Sequence, residues 1–158
     1  MQQNDTNGLG LQTITIPNSI LIPEIVRQIN LGHTVTLPLR GFSMRPFLED
    51  GRDKALLTKP KPQPEVGDPV LAEVGPKHYV LHRIVKIDGE NVTLLGDGNL
   101  SPEHCKLENI QASVIGFYRK GRSSLDRTDG KKWKTYSKVW MALRPVRRWL
   151  LAIYRRIK

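Results

Sequence analysis

Ser43 lies in the segment GFSMRP, 41–46, which follows an alternating apolar stretch and has glycine and proline at its two ends. Glycine adopts backbone conformations closed to other residues and proline fixes φ, so this pattern predicts a sharp, rigid turn. A serine on such a turn, close to backbone N–H groups that bind an oxyanion, is typical of a nucleophile in acyl transfer. The same pattern is also typical of a serine that only caps a turn.

A candidate general base for Ser43 is His82, which lies among apolar residues in YVLHRIVKI, 79–87. Imidazole has an ordinary pKa of about 6.5, so it accepts and returns a proton near neutral pH. A carboxylate that could orient it is Asp97, in LLGDGN, 94–99. Each residue also has a simpler interpretation, since histidines occur in apolar cores and an aspartate before glycine often forms a turn.

Four segments in order resemble the type I signal peptidase and LexA-like serine peptidase superfamily: GFSMRP, VGDPVLAEV, LHRIV, and LLGDGN followed by Pro102 and Glu103. The resemblance extends over about residues 34–116. It is closest to the branch found in the endoplasmic reticulum, archaea and spore formers, which has histidine where other members have a lysine base. His82, Asp97 and Asn99 match that branch.

The resemblance implies the twisted antiparallel β fold of signal peptidase and LexA. The residue spacing itself predicts a mainly β protein with one N-terminal helix and a C-terminal amphipathic helical segment. The resemblance also implies a serine endopeptidase that cleaves a peptide or preprotein. No cofactor is expected, and no metal site either, because His104 and Cys105 have no further ligand at metal spacing. Ser43 would be the nucleophile, His82 the general base and Asp97 the residue that orients the imidazole. The turn residues Gly41, Phe42 and Met44 would form the oxyanion site.

Departures from the family pattern leave two other functions open. Many signal peptidases have a hydroxyl residue two positions before the nucleophile, where this chain has Gly41, and a spanning anchor that this sequence lacks. A non-catalytic relative that binds a peptide in the same cleft is the first alternative. The second is a LexA-like self-cleaving regulatory module, although residues 1–33 contain neither a helix-turn-helix pattern nor an Ala-Gly or Cys-Gly pair.

The elements that position these residues follow from the apolar spacing. Leu21, Ile25 and Ile29, together with Ile22, predict a helix that starts near Asn18. Alternating apolar residues and turn signals predict strands at 33–39, 54–58, 69–74, 79–87, 91–95 and 111–118. We therefore expect a flexible N-terminus over 1–17 and a peptidase-like domain over 18–118.

The C-terminal part has a different composition. Residues 119–132 are polar and predict a linker, and residues 133–158 predict a basic amphipathic helical tail that Pro145 must interrupt. Residues 1–130 carry 15 basic and 15 acidic residues, whereas residues 131–158 carry ten basic residues and no acid. Two interpretations stay open: residues 133–157 bind an anionic membrane surface, or the helix packs on its own domain.

The bulk composition narrows the class of protein. A chain of 158 residues, 39% of them apolar, is long enough for one domain with a core. Because the net charge of +10 lies in the tail, no nucleic-acid partner is expected. The sequence has no apolar run of about eighteen residues and no export-signal pattern, which favours a cytoplasmic protein, either free or peripheral on the membrane.

Overall fold

The computed structural model describes residues 15–158, and its centre is an antiparallel sheet with a helix before it and helices after it. The strands are β1 (Val35–Pro38), β2 (Lys54–Thr58), β3 (Pro69–Gly75), β4 (His78–Asp88), β5 (Asn91–Leu95), β6 (Glu103–Lys106), β7 (Ile110–Tyr118) and β8 (Asp126–Arg127). The helices are α1 (Asn18–Asn30), α2 (Lys131–Ala142) and α3 (Arg147–Ile157). Short 3₁₀ helices span Leu107–Asn109 and Arg144–Val146.

The strand order is β1-β2-β7-β3-β4-β5-β6, and β8 pairs with β7 outside this order. All pairs are antiparallel, which confirms the predicted mainly β class and the helix before the sheet. Six of the strands lie where alternation predicted them. Most of the predicted flexible N-terminus, 1–17, lies outside the described residues.

The sheet has a separate apolar cluster on each face. On one face α1 buries Ile22, Ile25 and Ile29 against β2, β3 and β7. On the other face, Val70 and Ile84 pack with residues of β5 and β7. β3 contributes side chains to both clusters, because successive side chains of a strand point to opposite faces. The inner strands that carry the site are thus fixed from both sides.

The C-terminal part packs on the sheet domain, where the sequence predicted a polar linker over 119–132 and a helical tail over 133–158. Within the predicted linker, 119–132, β8 pairs with β7, and Arg119 donates a hydrogen bond to the carbonyl oxygen of Phe47 at 2.7 Å. On α2, Trp133 is 4% exposed and packs against Phe47 and Phe117. The second interpretation, a helix that packs on its own domain, therefore holds for α2, because its aromatic face covers apolar residues of the domain.

The predicted interruption at Pro145 is confirmed. α2 ends at Ala142, the 3₁₀ turn contains Pro145, and α3 begins at Arg147. None of the helices in residues 15–158 has both the length and the apolar character needed to cross a membrane.

Candidate active site

A cavity of about 160 Å³ lies between α1, the segment after β1 and the first half of β4. Ser43 and His82 both line it. Most of the remaining wall is apolar and includes Ile22, Leu37, Leu39, Met44, Leu48, Leu71, Tyr79, Val80 and Leu81. Asn18, Arg40 and Glu49 add polar groups to the wall. Two predicted site residues that are far apart in the chain therefore meet at one cavity.

Ser43 is half-buried in a turn that two neighbouring loops support. Gly41 has φ of 82° and donates its N–H to Oδ1 of Asp50 at 2.7 Å. Other residues are strained at such a φ, so glycine suits this position. The carbonyl oxygen of Ser43 accepts a hydrogen bond from the N–H of Gly98 at 2.8 Å, so the loop after β5 holds the turn directly.

The three predicted oxyanion residues differ in their surroundings. The N–H of Gly41 is already bonded within the loop and is not available. Phe42 is exposed beneath the guanidinium of Arg45, whereas the Met44 side chain is buried in the core. The backbone N–H groups of Ser43 and Met44 donate no hydrogen bond to any group of residues 15–158, which leaves both free for the oxygen of a ligand.

His82 is 3% exposed, and one of its ring nitrogens is held in place. Nδ1 lies 2.8 Å from Oε2 of Glu103 on β6. An ionised carboxylate only accepts hydrogen bonds, so Nδ1 carries the hydrogen and Nε2 is the basic nitrogen. Burial lowers the pKa of His82, and the negative charge of Glu103 opposes that shift. The imidazole is therefore neutral at pH 7 and can accept a proton.

The free nitrogen of His82 faces the loop that supports Ser43. A Cβ at Gly96 would lie 3.0 Å from Nε2 of His82 and 2.9 Å from Nδ2 of Asn99, and it would collide with the carbonyl oxygen of Ser43. Glycine thus allows these groups to approach one another. Within the described chain the Ser43 hydroxyl and His82 are not hydrogen-bonded, and such contacts often form only when substrate binds.

The sequence predicts that Asp97 orients His82, but within residues 15–158 Asp97 makes no hydrogen bond to His82. Its buried carboxylate accepts hydrogen bonds from Nε and Nη2 of Arg83 at 2.9 and 2.7 Å and from the Tyr136 hydroxyl at 3.0 Å. His82 and Arg83 are adjacent on β4 and so point to opposite faces, and Asp97 pairs with Arg83. Glu103 occupies the place beside His82.

Glu103 is the site residue that the sequence interpretation missed. It follows the LLGDGN segment, but its short polar strand gave no signal of a contact with His82. One signal was present, since an arginine inside an apolar strand needs an acidic partner. If Asp97 is paired with Arg83, Glu103 is the next acidic residue along the chain that can bind His82.

Side chains of α2 also bind Asp97 and its partner Arg83. Arg83 also donates a hydrogen bond to the hydroxyl of Ser137. The indole N–H of Trp140 donates to the carbonyl oxygen of Asp97 at 3.2 Å. The C-terminal helix therefore stabilises the loop 96–99, which in turn supports the serine turn.

Comparison with known proteins does not assign this chain to a family: no family model matches it, and neither does any curated protein. What the site can do depends on its own groups. They are a hydroxyl, a neutral imidazole with one nitrogen fixed by a carboxylate, and free backbone N–H groups beside an apolar cavity. These are the components of an acyl-transfer site.

Proposed function

We propose that this protein is a serine endopeptidase, with Ser43 as nucleophile and His82 as general base, on a fold of the signal peptidase and LexA-like type. The observation that carries the proposal is that Ser43 and His82 line one cavity while Glu103 binds Nδ1 of His82. That bond leaves Nε2 as the proton acceptor. An antiparallel sheet preceded by one helix supports the fold assignment.

The proposed reaction uses these groups in turn. Nε2 of His82 takes the hydroxyl proton of Ser43 while Oγ bonds to the carbonyl carbon of the peptide. The N–H groups of Ser43 and Met44 bind the oxyanion. The C–N bond then breaks, and the imidazolium gives its proton to the leaving amine. A water molecule that His82 deprotonates releases the acyl group and restores the Ser43 hydroxyl.

The cavity indicates which substrate residue lies beside the cleaved bond. Its volume is about 160 Å³ and its wall is largely apolar. An apolar cavity of about 150 Å³ in another protein holds a benzene molecule, so this one accommodates a single apolar side chain. We therefore expect a peptide or preprotein substrate with an apolar residue next to the cleaved bond.

Incubation with a library of peptides of mixed sequence tests this function. We expect new N-termini, with apolar residues enriched next to the cleaved bond because most residues that line the cavity beside Ser43 are apolar. Mass spectrometry of the products identifies the cleaved bonds, and a mock purification from the same host is the control. If the peptides stay uncleaved although the protein is folded, the endopeptidase proposal is contradicted.

A protein that binds a peptide without cleaving it is the second candidate function. It is favoured by the lack of a hydrogen bond between the Ser43 hydroxyl and His82 in the described part of the chain. The absence of a hydroxyl at Gly41 points the same way. Library peptides that are retained by the protein and released intact would support this candidate.

The pH dependence of kcat/KM tests the role of Glu103. For the wild-type protein we expect kcat/KM to rise with pH through a limb below about 6.5, because burial lowers the pKa of His82. Glu103→Gln removes the charge that raises this pKa but keeps an oxygen that accepts from Nδ1. Its limb should therefore lie at lower pH, and kcat above the limb should also fall, because the imidazolium that forms in the reaction loses its counter-charge.

Two further variants complete that measurement. Glu108→Gln alters an exposed acid close to β6 and should keep the wild-type limb. Glu103→Ala should lower kcat at every pH, because the imidazole loses its orienting bond as well as the charge. A Glu103→Gln profile that coincides with wild type would show that Glu103 does not act on His82.

A further inference from the structure

α3 has an apolar stripe that the domain leaves uncovered. Trp149, Ile153 and Ile157 follow one another at four-residue spacing and are 68%, 56% and 82% exposed. The opposite side of the helix packs on the domain and buries Leu151. A contiguous row of large exposed apolar side chains indicates an interaction site.

The charges around the stripe indicate the chemistry of the partner. Arg144, Arg148, Arg155 and Arg156 are exposed, and none of them forms an ion pair with another of the described residues. Residues 131–158 contain no acidic residue. An apolar stripe with a tryptophan, bordered by unpaired arginines, is typical of helices that lie in the headgroup region of anionic membranes.

A second copy of the chain fits this surface less well. In a symmetric dimer the same patch would face itself, so the arginines of the two helices would come together. Like charges in contact disfavour such an interface. Phosphate groups of lipids supply the opposite charge, and the acyl region accommodates the apolar stripe.

We propose that α3 docks on an anionic membrane surface, with Trp149, Ile153 and Ile157 inserted between lipid headgroups and the neighbouring arginines bound to lipid phosphates. This surface is smaller than the one predicted from the sequence, residues 133–157. Trp133 and Trp140 are 4% and 8% exposed because they pack within the domain, and so cannot contact lipid.

Docking through α3 would bring the cavity close to the lipid. The inner side of α3 contacts the cavity wall, because the Tyr154 hydroxyl donates to Oε1 of Glu49 at 2.6 Å and Lys158 also pairs with Glu49. Glu49 is one of the residues that line the cavity. The membrane would therefore lie about 10 Å, one helix diameter, from that wall.

Co-sedimentation of the full chain with vesicles tests the proposal. One set of vesicles is phosphatidylcholine with about 30% phosphatidylglycerol, and the other is phosphatidylcholine alone. We expect binding to the anionic vesicles at low salt and weaker binding at high salt, since salt screens the charges. Trp149 emission should shift to the blue, and because Trp133 and Trp140 are already buried, the shift reports α3.

A double variant locates the binding surface. Trp149→Ser with Ile153→Ser removes exposed side chains and should weaken binding to the anionic vesicles at least about 10-fold. Leu31→Ser with Val66→Ser is the matched control, because both residues are exposed and apolar and lie outside α3. The control should bind like wild type.

Four results would overturn the proposal. The full chain could stay in solution with anionic vesicles at low salt, or bind neutral vesicles equally well. The Trp149 and Ile153 variant could bind like wild type. In sedimentation velocity without lipid, the chain could form a dimer that this variant abolishes, which would assign the stripe to a second copy of the chain.

Discussion

Replacing Ser43 or His82 by alanine is expected to remove nearly all peptide hydrolysis by this protein. Loss of the base should lower kcat/KM about 10²–10⁴-fold, which is the usual contribution of general-base catalysis. Loss of the nucleophile should lower it at least as much, because no acyl-enzyme forms. Because the two residues act as a unit, their effects should not add. The kcat/KM of the double variant should equal that of the less active single variant.

Initial rates with a peptide that the wild-type protein cleaves provide the measurement. Ser124→Ala and His33→Ala are the matched controls, since both residues are exposed and neither lines the cavity. Thermal melts check that all variants are folded. If His82→Ala kept full activity, another group would have to activate Ser43, and the proposed base would be wrong.

Asp97→Asn is expected to lower the free energy of unfolding by about 3–5 kcal/mol, the range measured when one partner of a buried ion pair is removed. Asp97 and Arg83 are both fully buried and joined at 2.7 Å, so the substitution leaves an enclosed arginine without a counter-charge. A typical domain is stable by about 5–15 kcal/mol, so the loss is large. Urea unfolding measures it.

Two other variants make the test specific. Asp129→Asn breaks an ion pair with Arg127 in which both side chains are exposed, and should leave the stability nearly unchanged. Tyr136→Phe removes one hydrogen bond to Asp97 and should lower the stability by about 1.5–3 kcal/mol. Burial and the charge of Asp97 raise the pKa of Tyr136, so its hydroxyl stays protonated and donates.

The same experiment separates two roles for Asp97. If Asp97→Asn were as stable as wild type but inactive, Asp97 would act on His82, as the family resemblance implied. If the variant loses stability while Glu103→Gln moves the pH limb, the buried pair is structural and Glu103 is the positioning residue.

Local spacing was sufficient to predict the strand that carries His82 and the strand before the loop of Asp97. The predicted strands at 79–87 and 91–95 differ from β4 and β5 by at most one residue at an end. Alternation and turn signals act between near neighbours, so they can be read from the chain. β6 was missed because its four residues are mostly polar, and it forms a strand only by pairing with β5.

The sequence by itself determined which elements carry Ser43 and His82. Ser43 lies in a turn because of its neighbouring glycine and proline, and His82 lies in a strand because of alternation. The break at Pro145 follows from the missing N–H of proline.

Tertiary structure decided which carboxylate meets which base. His82 and Arg83 are neighbours that face opposite sides of one strand. The packing of β6 brings Glu103 to His82, whereas the packing of α2 encloses Asp97 with Arg83. It also placed Trp133 in the core and Trp149 on the surface. An amphipathic pattern shows that a helix has an apolar face, but what covers that face depends on residues distant in the chain.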